Sequence, residues 1–272
     1  MKINCVIVTY NRLSLLKECI SALKNQTYKI NKIYIINNNS TDGTSDYLQE
    51  LIADSQFVII NLPQNIGGAG GFSEGIKRVV LDGCDWAWIM DDDTIPMNNA
   101  LEELVKGTTV AKNVGYVCSR VVWTDGMIHK MNIPRFDCEN KQHLPINYYS
   151  NLADVLLIRA ASFVSLLINS KAVREVGLPI KEFFIWGDDT EFTTRIYQHG
   201  YVCLYASQST VIHKTTENYI SQLQNAPVEA LWKFQYGFRN DIFLRRMRKK
   251  NFLFFISVIN AYRRAVRHIN KR

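Results

Sequence analysis

The sequence predicts an α/β fold organised around a parallel sheet, followed by a helical extension. Three observations predict it. Short β-rich apolar runs alternate with segments whose apolar residues return every three or four positions, the pattern of βαβ units. Each of the first four runs ends in a polar loop. The composition, 47% apolar and 21% charged over 272 residues, supplies a core and lacks the bias of a disordered chain.

The first run, 3–9, meets Tyr10, Asn11 and Arg12, after which Leu13, Leu16, Ile20 and Leu23 mark one face of a helix. The unit repeats: 32–36 reads as a strand, 37–44 as a polar turn, 45–52 as a helix and 57–61 as a third strand. A glycine-rich loop, 67–71, leads into a helix through 77–81, and 86–90 is a fourth strand ending on three aspartates. Ligands of such sheets bind beyond the carboxyl ends of the strands. Residues 9–12, 37–42, 65–71 and 91–93 are therefore expected to line one rim. Further on, 114–122 and 161–168 read as strands, 169–176 as a short helix, and 188–199 as a helix closed by Gly200 at a left-handed cap. The stretch 124–151 is polar and aperiodic, the mark of a long functional or mobile loop. From Val228 two helices are expected, broken near 249–251, so the chain divides into a domain at 1–225 and a basic amphipathic tail at 226–272.

The net charge of +7 is unevenly placed. Residues 233–272 hold twelve Lys or Arg and a single acid, Asp241, a charge of +11, which leaves +7 less +11, or −4, on residues 1–232. An acidic body with a basic, aromatic-rich tail argues against a nucleic-acid partner and for an anionic membrane surface, the alternative being that Phe252, Phe255 and Ile259 pack the tail on the body or on a second subunit. The longest apolar run, 252–259, is far short of the roughly 18 to 20 residues a membrane helix needs. The first ten residues, with one Lys and no small-residue cleavage site, do not read as a signal peptide. Six scattered cysteines without a C-x-x-C pair point to buried thiols in a reducing cytoplasm.

Candidate chemistry concentrates at a few places. Asp91 and Asp93, on alternate positions of an extended segment, could share one hard cation such as Mg²⁺ or Mn²⁺; alternatively Asp93 and Thr94 cap a helix starting near Pro96. Asp188, Asp189 and Glu191 open a helix beside Phe183, Phe184 and Trp186. They are either cap residues or carboxylates lifted by an aromatic wall into a general base's range. His213 is a lone histidine after an apolar run. The glycine loop matches neither the dinucleotide nor the P-loop pattern.

Taken together, these residues resemble the family-two glycosyltransferases of the GT-A fold, within them the galactofuranosyl- and rhamnosyltransferase-like group. The matches run in order: Val8 to Arg12, Asn38 to Gly43, Asn65 to Gly68 with Gly70, Gly71 and Phe72, Met90 to Asp93, Trp186 to Phe192 with Arg195, and His213. They span about residues 1–240. The resemblance implies a Rossmann-like nucleotide-binding half and a mixed central sheet flanked by helices. It implies that Thr9, Asn11 and Arg12 lie near the nucleotide, that Asn38 sits by the base, and that Asn65, Gly70 and Gly71 belong to the donor site. Asp92 would face the sugar, while Asp91, Asp93 and His213 would hold Mn²⁺ or Mg²⁺ under the diphosphate. Asp189 matches the catalytic base, with Asp188 and Glu191 near the acceptor hydroxyls and Trp186 as an apolar platform. Asn37 stands where many relatives have Asp.

The activity so implied is inverting transfer of a sugar, galactofuranose or rhamnose, from a UDP- or dTDP-linked donor. The acceptor would be a glycan or a polyprenyl-diphosphate-linked saccharide of bacterial surface polysaccharide synthesis. The enzyme would work on the cytoplasmic face of the cell membrane, with homo-oligomerisation through the carboxyl-terminal helices as a further expectation. Two alternatives stand beside it: a sugar-nucleotide-forming nucleotidyltransferase, and a non-catalytic nucleotide- or lipid-binding module. The first normally carries a glycine-rich loop with Arg and Lys after the first strand, and Thr9-Tyr10-Asn11-Arg12 is not that.

Overall fold

A computed structural model describes residues 1–137, 144–220, 222, 223, 226, 228–248, 254–256, 258–260 and 263. The amino-terminal half follows the expected alternation: β1 (Ile3–Thr9), α1 (Leu13–Lys24), β2 (Lys32–Asn37), α2 (Thr44–Leu51), β3 (Phe57–Asn61), α3 (Gly67–Leu81) and β4 (Trp86–Asp91). β2, β3 and β4 join β1 in a parallel sheet of order β3-β2-β1-β4. Every residue of β1 is buried. Ile3, Cys5 and Ile7 enter one core cluster and Val6 and Val8 the other, because alternate side chains face opposite sides and helices cover both.

The second half turns the sheet mixed. After β5 (Thr94–Pro96) and α4 (Ala100–Gly107) come β6 (Val114–Val122), β7 (Arg135–Phe136), α5 (Ser150–Ala153), β8 (Val155–Ala160), β9 (Leu166–Asn169), α6 (Ser170–Val176), α7 (Asp188–Gln198), β10 (Val202–His213) and α8 (Lys233–Arg248). β9 runs antiparallel between β4 and β6, β10 lies parallel to β6, and β8 and β7 extend the far edge antiparallel.

Several expectations need correction. The glycines at 67–71 are the first turns of α3 and not a loop; Gly67 at φ +74 is the one left-handed position among them. The helix expected near Pro96 starts at Ala100, and Thr94 to Pro96 pair with β10, so Asp93 and Thr94 cap nothing. Of the strand expected over 161–168 only the end forms, as β9 from Leu166; 161–165 is a turn with Ser165 at φ +57, and β8 ends before it at Ala160. The twelve-residue β10 was unread because its apolar pattern is broken by Ser207, Gln208 and Ser209, where the pairing with β6 shifts register. Residues 124–137 are ordered, with a 3₁₀ turn at Lys130–Asn132 leading into β7.

The boundary at 225 does not separate a tail from a body. Phe234, Asn240 and Leu244 of α8 are buried, and the helix packs on the segment before α7. The break at 249–251, the basic pair Lys249 and Lys250, residues 252, 253 and 257 of the apolar run and Cys138 lie outside the described residues. The other five cysteines are buried free thiols. Among the described residues no helix is long and apolar enough to cross a membrane.

Candidate active site

β1, β2 and β4 end side by side: Thr9 pairs with Asn37, and Val8 with Asp91. The chain turns at Asp92 and Asp93 and re-enters as β5, whose Thr94 pairs with His213 at the end of β10. Lys214 N–H donates to the Asp93 carbonyl at 2.9 Å, closing the corner. An antiparallel pairing thus brings a histidine 120 positions away beside the aspartates. Ligand atoms of Asp91, Asp93 and His213 lie within 4.8 Å of one another.

The donor set fits a hard divalent cation: two carboxylates and one imidazole, grouped at the end of a strand. Asp93 Oδ1 is 3.2 Å from His213 Nε2, yet it is buried without a well-aligned hydrogen bond, as befits two ligand atoms facing a shared ion. Nδ1–H of His213 donates to Asn132 Oδ1 at 2.8 Å, and Asn132 Nδ2 donates to Ser162 at 2.9 Å. That bond frees Nε2 for a cation; without one, Asp93 and Asp91 raise the imidazole against its burial and favour the protonated ring. Behind it lies the buried ring of His129, 4.6 Å from that of His213 and pushed down to about 4 by burial and by His213.

Electrostatics separates the three aspartates. Burial alone would raise Asp93, but His213 and Arg12 hold its carboxyl well below the usual carboxylate range. Burial and the neighbouring charge of Asp93 raise Asp91. Asp92 turns away from the trio: it accepts from Thr9 Oγ1 at 2.8 Å and from Arg12 at 3.2 Å, and burial raises it. Arg12 bridges Asp92 and Asp93 and also reaches the cavity.

A cavity of about 490 Å³ opens beside this cluster. Trp186, Asp188 and Asp189 line it too, as do Arg135, Phe163 and Lys233. Asp188 and Asp189 open α7. Burial and then Asp189 lift Asp188 well above the usual range, whereas burial lifts Asp189 against its bonds to Thr190 and the charge of Arg135. Burial thus raises both carboxyls, which suits a general base working above the usual carboxylate range.

Other expected site residues lie elsewhere. Glu191 does not reach the cavity: it is buried and grips Arg195 through two bonds of 2.8 Å, while Arg195 also donates to the carbonyls of Val176 and Leu178. Its place beside the acceptor is therefore replaced by a structural one. Asn38 is buried, accepting from Ile66 N–H at 2.9 Å and donating to the Gly67 carbonyl at 3.0 Å. Asn65 accepts from Gly67 N–H at 2.8 Å, and Asn11, at φ +52, accepts from Thr41 N–H at 2.7 Å. These amides shape the rim. Gly70 faces Ile66, one turn back, and Gly71 faces Val8 of β1, so both glycines serve packing; Gly68 and Ala69 line the cavity instead.

Sequence reasoning missed Asn132, Arg135 and Lys233. The first two sit in an aperiodic stretch, and Lys233 was counted with the basic tail.

Residues 5–177 match the family described as glycosyl transferase family 2. The chain belongs to glycosyl transferase family 2. It is 25% identical over 213 residues to galactofuranosyltransferase GlfT1 of Mycolicibacterium smegmatis, covering 74% of this chain and 68% of that protein. Among solved structures it resembles GalNAc-T7 with UDP, GalNAc and Mn²⁺ at TM-score 0.63 and 16% identity, over 82% of this chain and 45% of that one. It also resembles residues 1–349 of Staphylococcus aureus TarS in complex with UDP, at TM-score 0.60 and 14% identity, over 79% of this chain and 61% of that one. The chain therefore spans less than two thirds of either solved structure. This family 2 glycosyltransferase has the GT-A fold, and family membership sets aside the nucleotidyltransferase reading.

Proposed function

We propose that this enzyme transfers a sugar, galactofuranose or rhamnose, from a UDP- or dTDP-linked donor with inversion at the anomeric carbon. The acceptor is a glycan or a polyprenyl-diphosphate-linked saccharide of bacterial surface polysaccharide. The observation that carries this reading is the meeting, in one cavity, of the Asp91, Asp93 and His213 trio with the Asp188 and Asp189 pair. A cavity of about 490 Å³ is in the range of small-ligand sites.

Asp91, Asp93 and His213 would hold Mn²⁺ or Mg²⁺, which when bound supplies Lewis-acid neutralisation of the departing diphosphate. Arg12 and Lys233 add protein cations to the cavity lining; burial and the nearby Arg12 depress the Lys233 ammonium. Thr9 and Arg12 hold Asp92 in place. Asp189 takes the proton of the acceptor hydroxyl as that oxygen bonds to the anomeric carbon, and the electron pair of the breaking bond leaves with the diphosphate. Asp188, its carboxyl raised by burial, lies near the acceptor hydroxyls, and Trp186 offers the apolar platform. Asn11 and Asn38, with Asn65, keep the nucleoside end of the rim in shape.

The exposed side chains of Phe238, Ile242 and Met247 on α8, with Arg246 nearby, support contact with anionic lipid at the inner membrane surface. Co-sedimentation with anionic vesicles at low and high salt checks this part. A panel of sugar nucleotides with Mn²⁺, scored by nucleotide release, tests the whole. Release from a UDP- or dTDP-hexose that is abolished by chelator and by Asp93→Ala is expected. Absence of release from every donor would favour the binding-module alternative, and chelator-insensitive release would refute the metal assignment.

A further inference from the structure

The segment leading into Asp188 and Asp189 is held in a conformation it would not adopt alone. Between the 3₁₀ turn Lys181–Phe183 and α7, φ is +64 at Phe184, +65 at Trp186 and +90 at Gly187. Left-handed angles are ordinary for glycine and unfavourable for aromatic residues, and they persist only where neighbours over-determine them. Asp188 and Asp189 follow Gly187 directly, so the hold on this turn sets the aim of both carboxylates.

The hold comes from α8. Asn240, 1% exposed, directs Nδ2 at three carbonyls of the turn: Phe183 at 2.9 Å, Ile185 at 3.1 Å and Trp186 at 2.7 Å. Arg239 decides which way the amide faces, since its Nε and Nη2 donate to Asn240 Oδ1 at 3.0 and 2.9 Å. The same Nη2 donates to the carbonyls of Glu182 at 2.6 Å and Phe183 at 3.0 Å. Two adjacent residues thus take up four carbonyls from one five-residue stretch. Packing reinforces the bonds: the Phe184 ring stacks on Tyr236 at 4.8 Å, and Trp186 meets Phe234 edge to face at 4.7 Å. On the other side Phe184 O accepts from Ala69 N–H at 3.0 Å, in the first turn of α3. Both the turn and α8 lie beyond residue 177, where the family match ends.

We propose that Asn240, oriented by Arg239, is a positioning residue for glycosyl transfer: it ties the strained turn so that Asp189 faces the acceptor hydroxyl. This rests on the reading of Asp189 as base. A side chain that only stabilised the fold would affect donor binding and turnover together. One that acts through Asp189 lowers turnover, leaves the donor site intact, and loses its effect once the base is gone.

The experiment uses the full chain and the sugar nucleotide that gives release in the panel. Asp189→Asn alone is measured first; parent-like turnover there refutes the base assignment, independently of Asn240. Given a loss there, Asn240→Ala is expected to lower kcat about tenfold or more with donor KM within about twofold of the parent. In the Asp189→Asn background the same change is expected to cost less than about twofold. Hydrogen exchange across 183–190 is expected to quicken in Asn240→Ala. Asp241→Ala, one position on and paired with Arg245 at 2.7 Å, serves as the neutral control. If Asn240→Ala does not fold, Arg239→Ala, an exposed side chain, carries the same comparisons with a smaller loss in kcat. Equal losses in both backgrounds, parallel losses of donor affinity and kcat, or unchanged kcat with quickened exchange would each overturn the proposal.

Discussion

Replacing Glu191 by Ala separates a structural from an acceptor-binding role. The carboxylate is one half of a bidentate pair with Arg195, whose side chain is 21% exposed against 6% for Glu191. Arg195 also ties α7 to the carbonyls of Val176 and Leu178 at the end of α6, so removing Glu191 leaves a largely desolvated guanidinium with only neutral partners. Breaking a buried ion pair from one side costs about 3–5 kcal/mol, and the partial exposure of Arg195 places this case near about 3. With an unfolding entropy of roughly 2.1 cal/mol/K per residue near 60 °C, a chain of 272 residues loses about 5 °C in Tm for that penalty. Differential scanning calorimetry reads the shift, and steady-state kinetics on the surviving folded protein reads the acceptor KM, which is expected to stay within about twofold. An unchanged Tm together with a several-fold rise in acceptor KM would refute the structural assignment.

Asp189→Asn is expected to lower transfer by about 10² or more while calorimetry with UDP and Mn²⁺ shows unchanged binding. Because burial raises the Asp189 carboxyl, the acid limb of parent kcat against pH is expected above the usual carboxylate range near 4 and to vanish in that variant. Asp188, also raised, keeps a proton in the folded state that the unfolded chain releases. It therefore contributes a fall in stability as pH rises from about 4 upward, and Asp188→Asn is expected to flatten the fall measured by thermal melts across pH. Lys233→Ala is expected to weaken UDP binding about tenfold, the loss of one charge-assisted contact of about 1.5 kcal/mol, with Tm little changed; unchanged affinity would place the ammonium outside the diphosphate site. Gly71→Val is expected to destabilise by about 1–3 kcal/mol in urea unfolding, since even a Cβ would lie 2.5 Å from Val8 Cγ1, whereas Gly68→Ala, with open space, is expected to fold as the parent does.

The sequence by itself determined the amino-terminal half, because there each strand and helix declares its period locally: 3–9, 32–36, 57–61 and 86–90 are strands within a residue of the observed bounds. It also placed Asp91, Asp93, Asp188 and Asp189, since each is anchored to the end of a legible strand or the start of a legible helix. His213 came from family resemblance alone; in the structure it reaches the aspartates because β5 and β10 pair antiparallel, a long-range choice invisible to local periodicity. Only the tertiary structure separated the partners of neighbouring acids. Glu191 and Asp189 share the start of α7, yet one turns to Arg195 and the other lines the cavity. The same holds for the glycines of α3, read from sequence as a flexible loop and used in the fold as bare surface for Ile66 and Val8. The expected tail took in Lys233, Arg239 and Asn240, because its charge count records composition and not direction. The packing of α8 on the turn at 184–187 decides that one of these faces the cavity and two hold the turn that carries the base.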